Sequence, residues 1–191
     1  NLYNILTCIG SALSLGIGMD EILEKIQKLK PVPGRFETIK NDKKARIVVD
    51  FAHTDDGLLN IGKTLKQITD NQVITIFGAG GDRDHDKRPK MAKAATKFSD
   101  YIILTSDNPR TENPIKILAD IEKGLIAEKY PFDKYIIISD REKAIRYGMR
   151  LLQKGDSLLI AGKGHETYQI IGNEKTHFDD REVVRKILAG K

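Results

Sequence analysis

Apolar residues follow two patterns along the chain, first a helical one and then an alternation of strands and helices. At the start they recur every three or four positions, which predicts amphipathic helices over residues 2–17 and 19–29. Residues 30–34 contain two prolines and a glycine and are typical of a linker. We therefore predict a domain boundary at this linker, with a short helical segment at 1–33 and a second domain at 34–191.

Five short, mostly continuous apolar segments follow the linker, and amphipathic segments separate them. The predicted strands are 46–51, 73–77, 101–105, 135–139 and 157–161, and the predicted helices are 56–68, 89–98, 114–127, 141–153 and 180–188. Such an alternation is typical of a parallel sheet covered on both faces. Gly172 and Asn173 separate two further short strands and predict a hairpin that adds an antiparallel edge to this sheet. The predicted fold class is α/β, with a mostly parallel sheet, helices on both faces and an antiparallel edge.

Polar and charged residues concentrate where four of the predicted strands end. The clusters are 50–53 (DFAH), 78–88 (GAGGDRDHDKR), 106–110 (SDNPR) and 161–166 (AGKGHE). In open parallel sheets, ligands bind beyond the carboxyl ends of the strands. We therefore predict one ligand site that these four clusters share.

Residues 107–110, called here the DNPR segment, combine a carboxylate, an amide and a guanidinium. Pro109 restricts its own backbone and favours an extended geometry for Asn108, so the polar side chains form a stiff array. Asp107 suits an ammonium group and Arg110 suits a carboxylate, which together match a zwitterionic amino acid. The alternative interpretation is an ordinary turn in which the aspartate bonds its own backbone.

The glycine-rich cluster 78–88 leaves alternatives open. Its glycines allow close approach of a ligand to the backbone, but their spacing is not that of a dinucleotide-binding fingerprint. A tight turn with solvated charges is the alternative. Arg83 and Arg88 could each bind a carboxylate or a phosphate, and spacing does not decide which of them faces the ligand.

The cluster 161–166 is superficially similar to a phosphate-binding loop, but the complete Gly-x-x-x-x-Gly-Lys-Ser/Thr pattern does not occur in the chain. A hydrolytic site with His165 and Glu166 is an alternative, although no nucleophilic serine or cysteine lies in a recognisable setting. A metal site built from Asp50, His53, His85 and His165 would match no common zinc spacing, so no metal ligand is assigned.

Composition narrows the possible classes of protein. The chain is 40% hydrophobic and 31% charged, and its apolar runs are too short to predict a membrane span. The net charge of +5 suits polyanionic small molecules, and because no nucleic-acid-reading motif occurs, no nucleic-acid partner is predicted. A single cysteine, Cys8, excludes an internal disulfide and suits a reducing cytosol, so we expect a cytoplasmic protein. We also expect a monomer. The chain starts at Asn1 within a helical pattern, so we also expect a piece of a longer protein.

Six motifs, taken in order, resemble those of the Mur ligases. They are VPGRFE (32–37), VVDFAHT (48–54), FGAGGDRDHDKRP (77–89), TSDNPRTENP (105–114), AGKGHETYQ (161–169) and HFDDRE (177–182). The resemblance is closest to the type, called MurE, that adds meso-diaminopimelate, and it covers essentially the whole chain. Two positions depart from the usual pattern: Asp55 stands where proline is usual, and Ala79 where cysteine is common.

The resemblance implies a three-domain enzyme of peptidoglycan synthesis. Residues 1–33 would be the tail of its central ATP-binding domain, and 34–191 its Rossmann-like C-terminal domain. Such enzymes use ATP and Mg²⁺ to convert the D-glutamyl carboxylate of UDP-N-acetylmuramoyl-L-alanyl-D-glutamate into an acyl phosphate, which the amine of meso-diaminopimelate attacks. The P-loop and the domain that binds the UDP-linked substrate would both lie outside this chain, together with most contacts to ATP and Mg²⁺. The chain alone is therefore expected to be inactive as a ligase.

The resemblance also implies site residues, none of them catalytic or metal-binding. The meso-diaminopimelate contacts would be Arg83, Asp107, Asn108, Pro109, Arg110, Gly162 and Glu166, and the ATP contacts Asn1, Asn4, Arg35, Asp50 and His53. Arg83 and Arg110 would bind the distal carboxylate, and Glu166 the distal ammonium. Relatives that add lysine, which has no second carboxylate, typically replace the arginine, so Arg110 favours meso-diaminopimelate. The alternatives are a lysine-adding sister enzyme, a folylpolyglutamate-synthetase-like protein and a stand-alone nucleotide- or amino-acid-binding module.

Overall fold

The computed structural model describes residues 2–29 and 32–190. Close contacts between Cα atoms divide the chain into two compact units, Asn1–Val32 and Pro33–Lys191. The division falls within the proline-containing linker. None of the helices among the described residues is both long and apolar enough to span a membrane.

The first unit contains helices α1 (Leu2–Ser14) and α2 (Met19–Gln27). Helix α1 ends shortly before Gly16, whose φ of +82° suits glycine and does not continue a helix. Ile22 is the one buried apolar side chain among the described residues of this unit, whereas Leu15 and Leu23 are exposed.

The second unit is an α/β domain built on a six-stranded sheet. Its elements are β1 (Glu37–Ile39), β2 (Arg46–Asp50), α3 (Asp55–Gln67), β3 (Val73–Phe77), α4 (Lys87–Ala95), β4 (Tyr101–Leu104), α5 (Pro114–Ala127), a 3₁₀ turn (Phe132–Lys134), β5 (Tyr135–Ile137), α6 (Arg141–Leu151), β6 (Ser157–Ala161), β7 (Tyr168–Ile171), β8 (Glu174–His177) and α7 (Asp180–Leu188). The strand order is β1-β2-β6-β3-β4-β5. Strands β2 to β6 are all parallel, as the sequence predicted.

Helices cover both faces of this sheet. Successive side chains of a strand point to opposite faces, so apolar residues of one strand pack against helices on both sides. Val48 and Leu159 belong to a core cluster that also contains buried residues of α3, α4 and α5. Ile47 and Ile160 belong to a second cluster, with buried residues of α6 and α7. The predicted architecture with helices on both faces is thus confirmed.

The antiparallel edge of the sheet is β1, and the prediction that the closing hairpin supplies this edge is wrong. Strand β1 pairs with β2 over three residues, with Thr38 opposite Val48. Strands β7 and β8 pair with each other in a separate two-stranded sheet. The sequence gives little sign of β1, because it is only three residues long and Ile39 is its only buried side chain.

Candidate functional site

A pocket of about 350 Å³ lies at the carboxyl ends of β2, β3, β4 and β6. Its lining draws on all four polar clusters: Phe51 and His53 after β2, Gly78, Ala79, Gly80, Arg83 and Lys87 after β3, Asp107, Asn108 and Arg110 after β4, and Gly162, Glu166 and Tyr168 after β6. We call it the strand-end pocket. The fold therefore brings the four clusters together, as the strand-end rule led us to expect.

Charges of both signs line the strand-end pocket. The cations are Arg83, Lys87 and Arg110, and the carboxylates are Asp107 and Glu166. Six of the seven residues predicted to contact the amino acid line the pocket. The seventh, Pro109, is buried within the DNPR segment. Such a lining suits a small molecule that itself carries both charges.

The backbone of the DNPR segment is hydrogen-bonded to the β7–β8 hairpin. The Arg110 N–H donates to the Ile170 carbonyl at 3.1 Å, and the Gly172 N–H donates to the Arg110 carbonyl at 2.7 Å. The side-chain amide of Gln169 donates to the Asp107 carbonyl at 2.8 Å. The hairpin therefore positions the DNPR segment, and does not extend the main sheet.

Arg110 has an uncommon backbone conformation. Its φ of +51° lies in the left-handed region, where residues other than glycine are infrequent and often belong to binding sites. Its guanidinium Nη1 donates to the carbonyls of Gly81, at 2.7 Å, and Asn108, at 3.4 Å. The side chain thus lies beside the glycine-rich loop after β3, where it lines the pocket.

The glycine-rich loop is in close contact with the DNPR segment. The Gly81 N–H donates to the Asn108 carbonyl at 2.9 Å. A Cβ atom at Gly81 would lie 1.9 Å from the Pro109 carbonyl oxygen, a distance that no side chain permits. Gly81 is therefore required for the approach of one loop to the other, a reason that the sequence alone did not supply.

The structure distinguishes the two arginines of this loop. Arg88 is fully buried, and its Nη2 and Nη1 atoms bind Glu112 at 2.7 Å and Asp120 at 3.1 Å. Burial disfavours its charged form, but these two carboxylates outweigh that effect and raise its pKa. Arg83 is exposed and lines the pocket. Arg88 therefore has a structural role, and Arg83 is the arginine available to a ligand.

Lys163 is a buried cation beneath the pocket that the sequence analysis did not single out. Its side chain is inaccessible to solvent, and its Nζ donates to Asn108 Oδ1 at 2.9 Å and to the Tyr168 carbonyl at 2.7 Å. Its ammonium also lies 3.9 Å from Asp107 Oδ1 and 3.7 Å from Glu166 Oε2. Lys163 therefore contacts four residues that line the pocket.

A buried ion pair between α6 and α7 lies behind the same loops. Arg141 donates from Nε and Nη2 to the two carboxylate oxygens of Asp180, at 2.7 and 2.8 Å, and neither side chain is exposed. Arg141 also donates to the carbonyls of Ala161, at 3.0 Å, and Ser106, at 3.4 Å. Those carbonyls immediately precede Gly162 and Asp107, so the pair positions the end of β6 and the loop after β4.

The residues predicted to contact ATP differ in their exposure to solvent and in the hydrogen bonds that they already make. The Arg35 guanidinium lies 4.9 Å from the centroid of the Phe51 ring, and the His53 ring lies 4.6 Å from it. Both are exposed. Asp50 is buried, and its two carboxylate oxygens accept from the backbone N–H groups of Phe36, at 2.7 Å, and Ala52, at 2.8 Å. Asp50 therefore stabilises the loops around it, while Arg35 and His53 present a cationic and an aromatic group to solvent.

The two asparagines predicted to lie near the adenine belong to the N-terminal segment. Asn4 is exposed on α1. Asn1 lies outside the described residues. Neither observation tests their predicted role.

The first and last motifs are joined by ion pairs. Arg181 lies 3.4 Å from Glu37, and Arg185 lies 3.2 Å from the same carboxylate. Asp179 caps α7 by accepting from the Arg181 N–H, and it also pairs with the Arg181 guanidinium. Burial opposes ionisation of Asp179, but Arg181 and the backbone N–H groups outweigh it and lower its pKa. The Arg181 guanidinium also donates to the His165 carbonyl at 3.5 Å, which links these motifs to the pocket loops.

The hydrolytic and metal alternatives gain no support from the described residues. The His165 ring packs against Phe51, with centroids 5.1 Å apart, whereas Glu166 accepts from the Asn108 amide. His177 is exposed and pairs with Glu182 at 2.8 Å. Across residues 2–29 and 32–190, no three His, Cys, Asp or Glu side chains are grouped as metal ligands.

The sequence matches the family model described as "Mur ligase, glutamate ligase domain" over residues 34–164. A relative from Fusobacterium nucleatum, named UDP-N-acetylmuramoyl-L-alanyl-D-glutamate--2,6-diaminopimelate ligase, is 50% identical over 97% of this chain and 38% of its own length. A relative of the same name from Geobacillus kaustophilus is 49% identical over 97% of this chain and 37% of its own length.

Solved structures of related ligases also match this chain. A structure of UDP-N-acetylmuramoyl-L-alanyl-D-glutamate--2,6-diaminopimelate ligase matches with a TM-score of 0.77 and 40% identity, over 100% of this chain and 38% of that protein. The UDP-N-acetylmuramate-alanine ligase from Thermotoga maritima matches with a TM-score of 0.69 at 19% identity, over 100% of this chain and 38% of that protein, which shows a shared fold alone. The chain spans somewhat more than a third of the length of these relatives.

Proposed function

The chain belongs to the Mur ligase family, and we propose that it is the amino-acid-binding part of a ligase that adds meso-diaminopimelate to UDP-N-acetylmuramoyl-L-alanyl-D-glutamate. Residues 34–191 would be the C-terminal domain and residues 1–33 the tail of the central domain. Because the reaction consumes ATP and a UDP-linked precursor, we expect it to take place in the cytoplasm.

One observation supports this proposal most strongly: the strand-end pocket contains both arginines and carboxylates. Meso-diaminopimelate has an ammonium and a carboxylate at each end, whereas lysine has no carboxylate at its distal end. Arg110 and Arg83 are suited to the distal carboxylate because a planar guanidinium can bind a carboxylate with two hydrogen bonds. Glu166 and Asp107 are suited to an ammonium group. Lysine would leave the arginines without a partner.

The residues of this chain contribute binding and orientation to the proposed reaction. ATP supplies the phosphoryl group that activates the D-glutamyl carboxylate as an acyl phosphate. The pocket would hold the distal end of the amino acid, so that its reacting amine is directed at that carbonyl. Holding two reactants in the correct geometry removes much of the entropic cost of their encounter. Attack of this amine on the acyl phosphate forms the amide bond and releases phosphate.

The described residues fit a nucleotide in part. Arg35 and His53, both exposed and packed against Phe51, offer a cation and an aromatic surface to a nucleotide. We propose these two as ATP contacts and give Asp50 an indirect role, because both of its oxygens already accept hydrogen bonds. The described residues provide no grouped carboxylates for Mg²⁺, so no step that involves Mg²⁺ is assigned to them.

The direct test compares acceptors with the full-length ligase that contains this chain. ATP and the UDP-linked dipeptide are supplied with either meso-diaminopimelate or lysine, and the amide product and phosphate are measured. We expect efficient product formation with meso-diaminopimelate and little with lysine. A preference for lysine would support the sister enzyme instead. The chain of 191 residues by itself is expected to form no product. Product formation by this chain alone would contradict the proposal that it contributes only binding and orientation.

A further inference from the structure

The buried ammonium of Lys163 determines the orientation of a side-chain amide beside the pocket. Asn108 Oδ1 accepts from Lys163 Nζ at 2.9 Å and from the Ile170 N–H at 3.0 Å. Two donors on one side fix this atom as the oxygen. The Asn108 Nδ2 is then turned to Glu166 and donates to its Oε2 at 3.0 Å. A reversed amide would place an oxygen against a carboxylate and a nitrogen against an ammonium, both of which are repulsive.

Lys163 also supplies the positive charge nearest to both pocket carboxylates. Its Nζ lies within 3.9 Å of Asp107 and 3.7 Å of Glu166. The other charged groups that act on it are Arg141 and Asp180, which are paired with each other. Burial lowers the pKa of Lys163, while Asp107 and Glu166 oppose that effect. The centroid of the Tyr168 ring lies 5.7 Å from the ammonium.

Lys163 has no direct access to a ligand. It is inaccessible to solvent, and its ammonium already donates to Asn108 and to the Tyr168 carbonyl. It therefore acts through its neighbours, whose side chains line the pocket. A role as the base that removes the proton from the incoming amine would require a contact that this geometry does not provide.

We propose that Lys163 is a positioning residue for the incoming amino acid, an inference that rests on the proposed function. It orients the Asn108 amide and thereby Glu166, and its ammonium attracts the carboxylates of Asp107 and Glu166, which line the pocket, and so holds them in place to receive an ammonium group. Without this buried cation the two carboxylates would lose the positive charge that both now contact, and their placement for an ammonium ligand would be lost.

The test measures steady-state kinetics of the full-length ligase with Lys163→Met, which removes the ammonium and keeps most of the volume. Lys154→Met, at an exposed position, is the matched control. In Lys163→Met we expect the KM for meso-diaminopimelate to rise by about tenfold or more, with a much smaller change in the KM for ATP.

Three results would count against the proposal. An unchanged KM for meso-diaminopimelate in an active Lys163→Met enzyme would overturn it while leaving the proposed function intact. An equal effect on the KM values of all substrates would assign Lys163 to folding alone and would overturn the proposal. A wild-type enzyme that adds no meso-diaminopimelate would overturn the proposed function, and this inference with it.

A second variant keeps the proposal testable if Lys163→Met does not fold. In Asn108→Asp, the new carboxylate still accepts from Lys163 and from the Ile170 N–H, but it cannot donate to Glu166. We expect this variant to raise the KM for meso-diaminopimelate as well. An unchanged KM would show that the contact between Asn108 and Glu166 does not position the ligand, and would overturn the proposal.

Discussion

Arg141 and Asp180 form a fully buried, two-bonded ion pair that connects α6 to α7, with N–O distances of 2.7 and 2.8 Å. The same guanidinium donates to the carbonyls of Ser106 and Ala161, which immediately precede the DNPR segment and Gly162. One interaction therefore joins the two helices on one face of the sheet to two of the loops that line the strand-end pocket.

Removal of this arginine is expected to destabilise the protein strongly. Arg141→Met leaves the Asp180 carboxylate buried without a counter-charge, which typically costs about 3–5 kcal/mol. The free energy of unfolding in urea measures the loss, and Arg150→Met, at an exposed position, is the control. Replacement of both partners, in Arg141→Met with Asp180→Leu, is expected to recover part of it. A loss below about 1 kcal/mol in the single variant would contradict a stabilising role for the pair.

The ion pair between Arg88 and Glu112 predicts a dependence of stability on pH. The hydrogen bond from Arg88 lowers the pKa of Glu112 from its ordinary value of 4.5. A carboxyl group with a lowered folded-state pKa stabilises the protein above its ordinary pKa, and this contribution disappears as the pH falls through the folded-state value. Glu112→Gln should therefore be less stable than wild type at neutral pH, and the difference should shrink below about pH 4.5.

Urea unfolding of Glu112→Gln across a series of pH values checks this prediction, with Glu174→Gln, at an exposed position of β8, as the control. Glutamine resembles the protonated glutamic acid, so the two proteins should converge in acid. A difference in the free energy of unfolding that stays constant over the whole range would show that the charge of Glu112 is not what stabilises the fold.

Substitution of Gly162 by alanine is expected to impair binding of the amino acid, whereas the same substitution at a matched glycine is not. Its φ is +114°, and a Cβ atom there would lie 2.7 Å from Asp107 Oδ2. Gly162→Ala should displace this carboxylate and raise the KM for meso-diaminopimelate in the full-length ligase by about tenfold to a hundredfold. Gly190 also has a positive φ, of +75°, but no atom lies within 4 Å of its added Cβ. Gly190→Ala should cost about 1–2 kcal/mol of stability with no change in KM. Equal KM values for the two variants would argue against a role for Asp107 in binding.

The order of strands and helices could be predicted from the sequence because buried parallel strands are continuous apolar runs. The run at residues 73–77 is buried at every position. Strand β1 escaped prediction because only Ile39 of its three residues is buried. The hairpin was predicted correctly as a hairpin, but local sequence does not say what a hairpin packs against. Here it binds the DNPR segment through backbone contacts with Arg110.

The location of the candidate site could be predicted from the sequence, but the buried charged residues that hold its loops in place could not. Polar residues at strand ends meet at one edge of any parallel sheet, which is why Arg83 and Arg110 could be expected near each other. Lys163, Arg141 and Arg88 are fully buried, whereas a charged residue in a sequence is normally expected at the surface. Burial and partners, which only the fold supplies, distinguish Arg83 from Arg88.

The most direct test of the central claim measures kcat/KM for meso-diaminopimelate and for lysine in wild-type and Arg110→Ala forms of the full-length ligase. The guanidinium of Arg110 is proposed to bind the carboxylate that lysine lacks. The loss of one partner of such a charge pair typically costs about 2–5 kcal/mol. We predict that Arg110→Ala greatly lowers kcat/KM for meso-diaminopimelate, mainly through KM, and changes the value for lysine little. An unchanged KM for meso-diaminopimelate in Arg110→Ala would contradict the account.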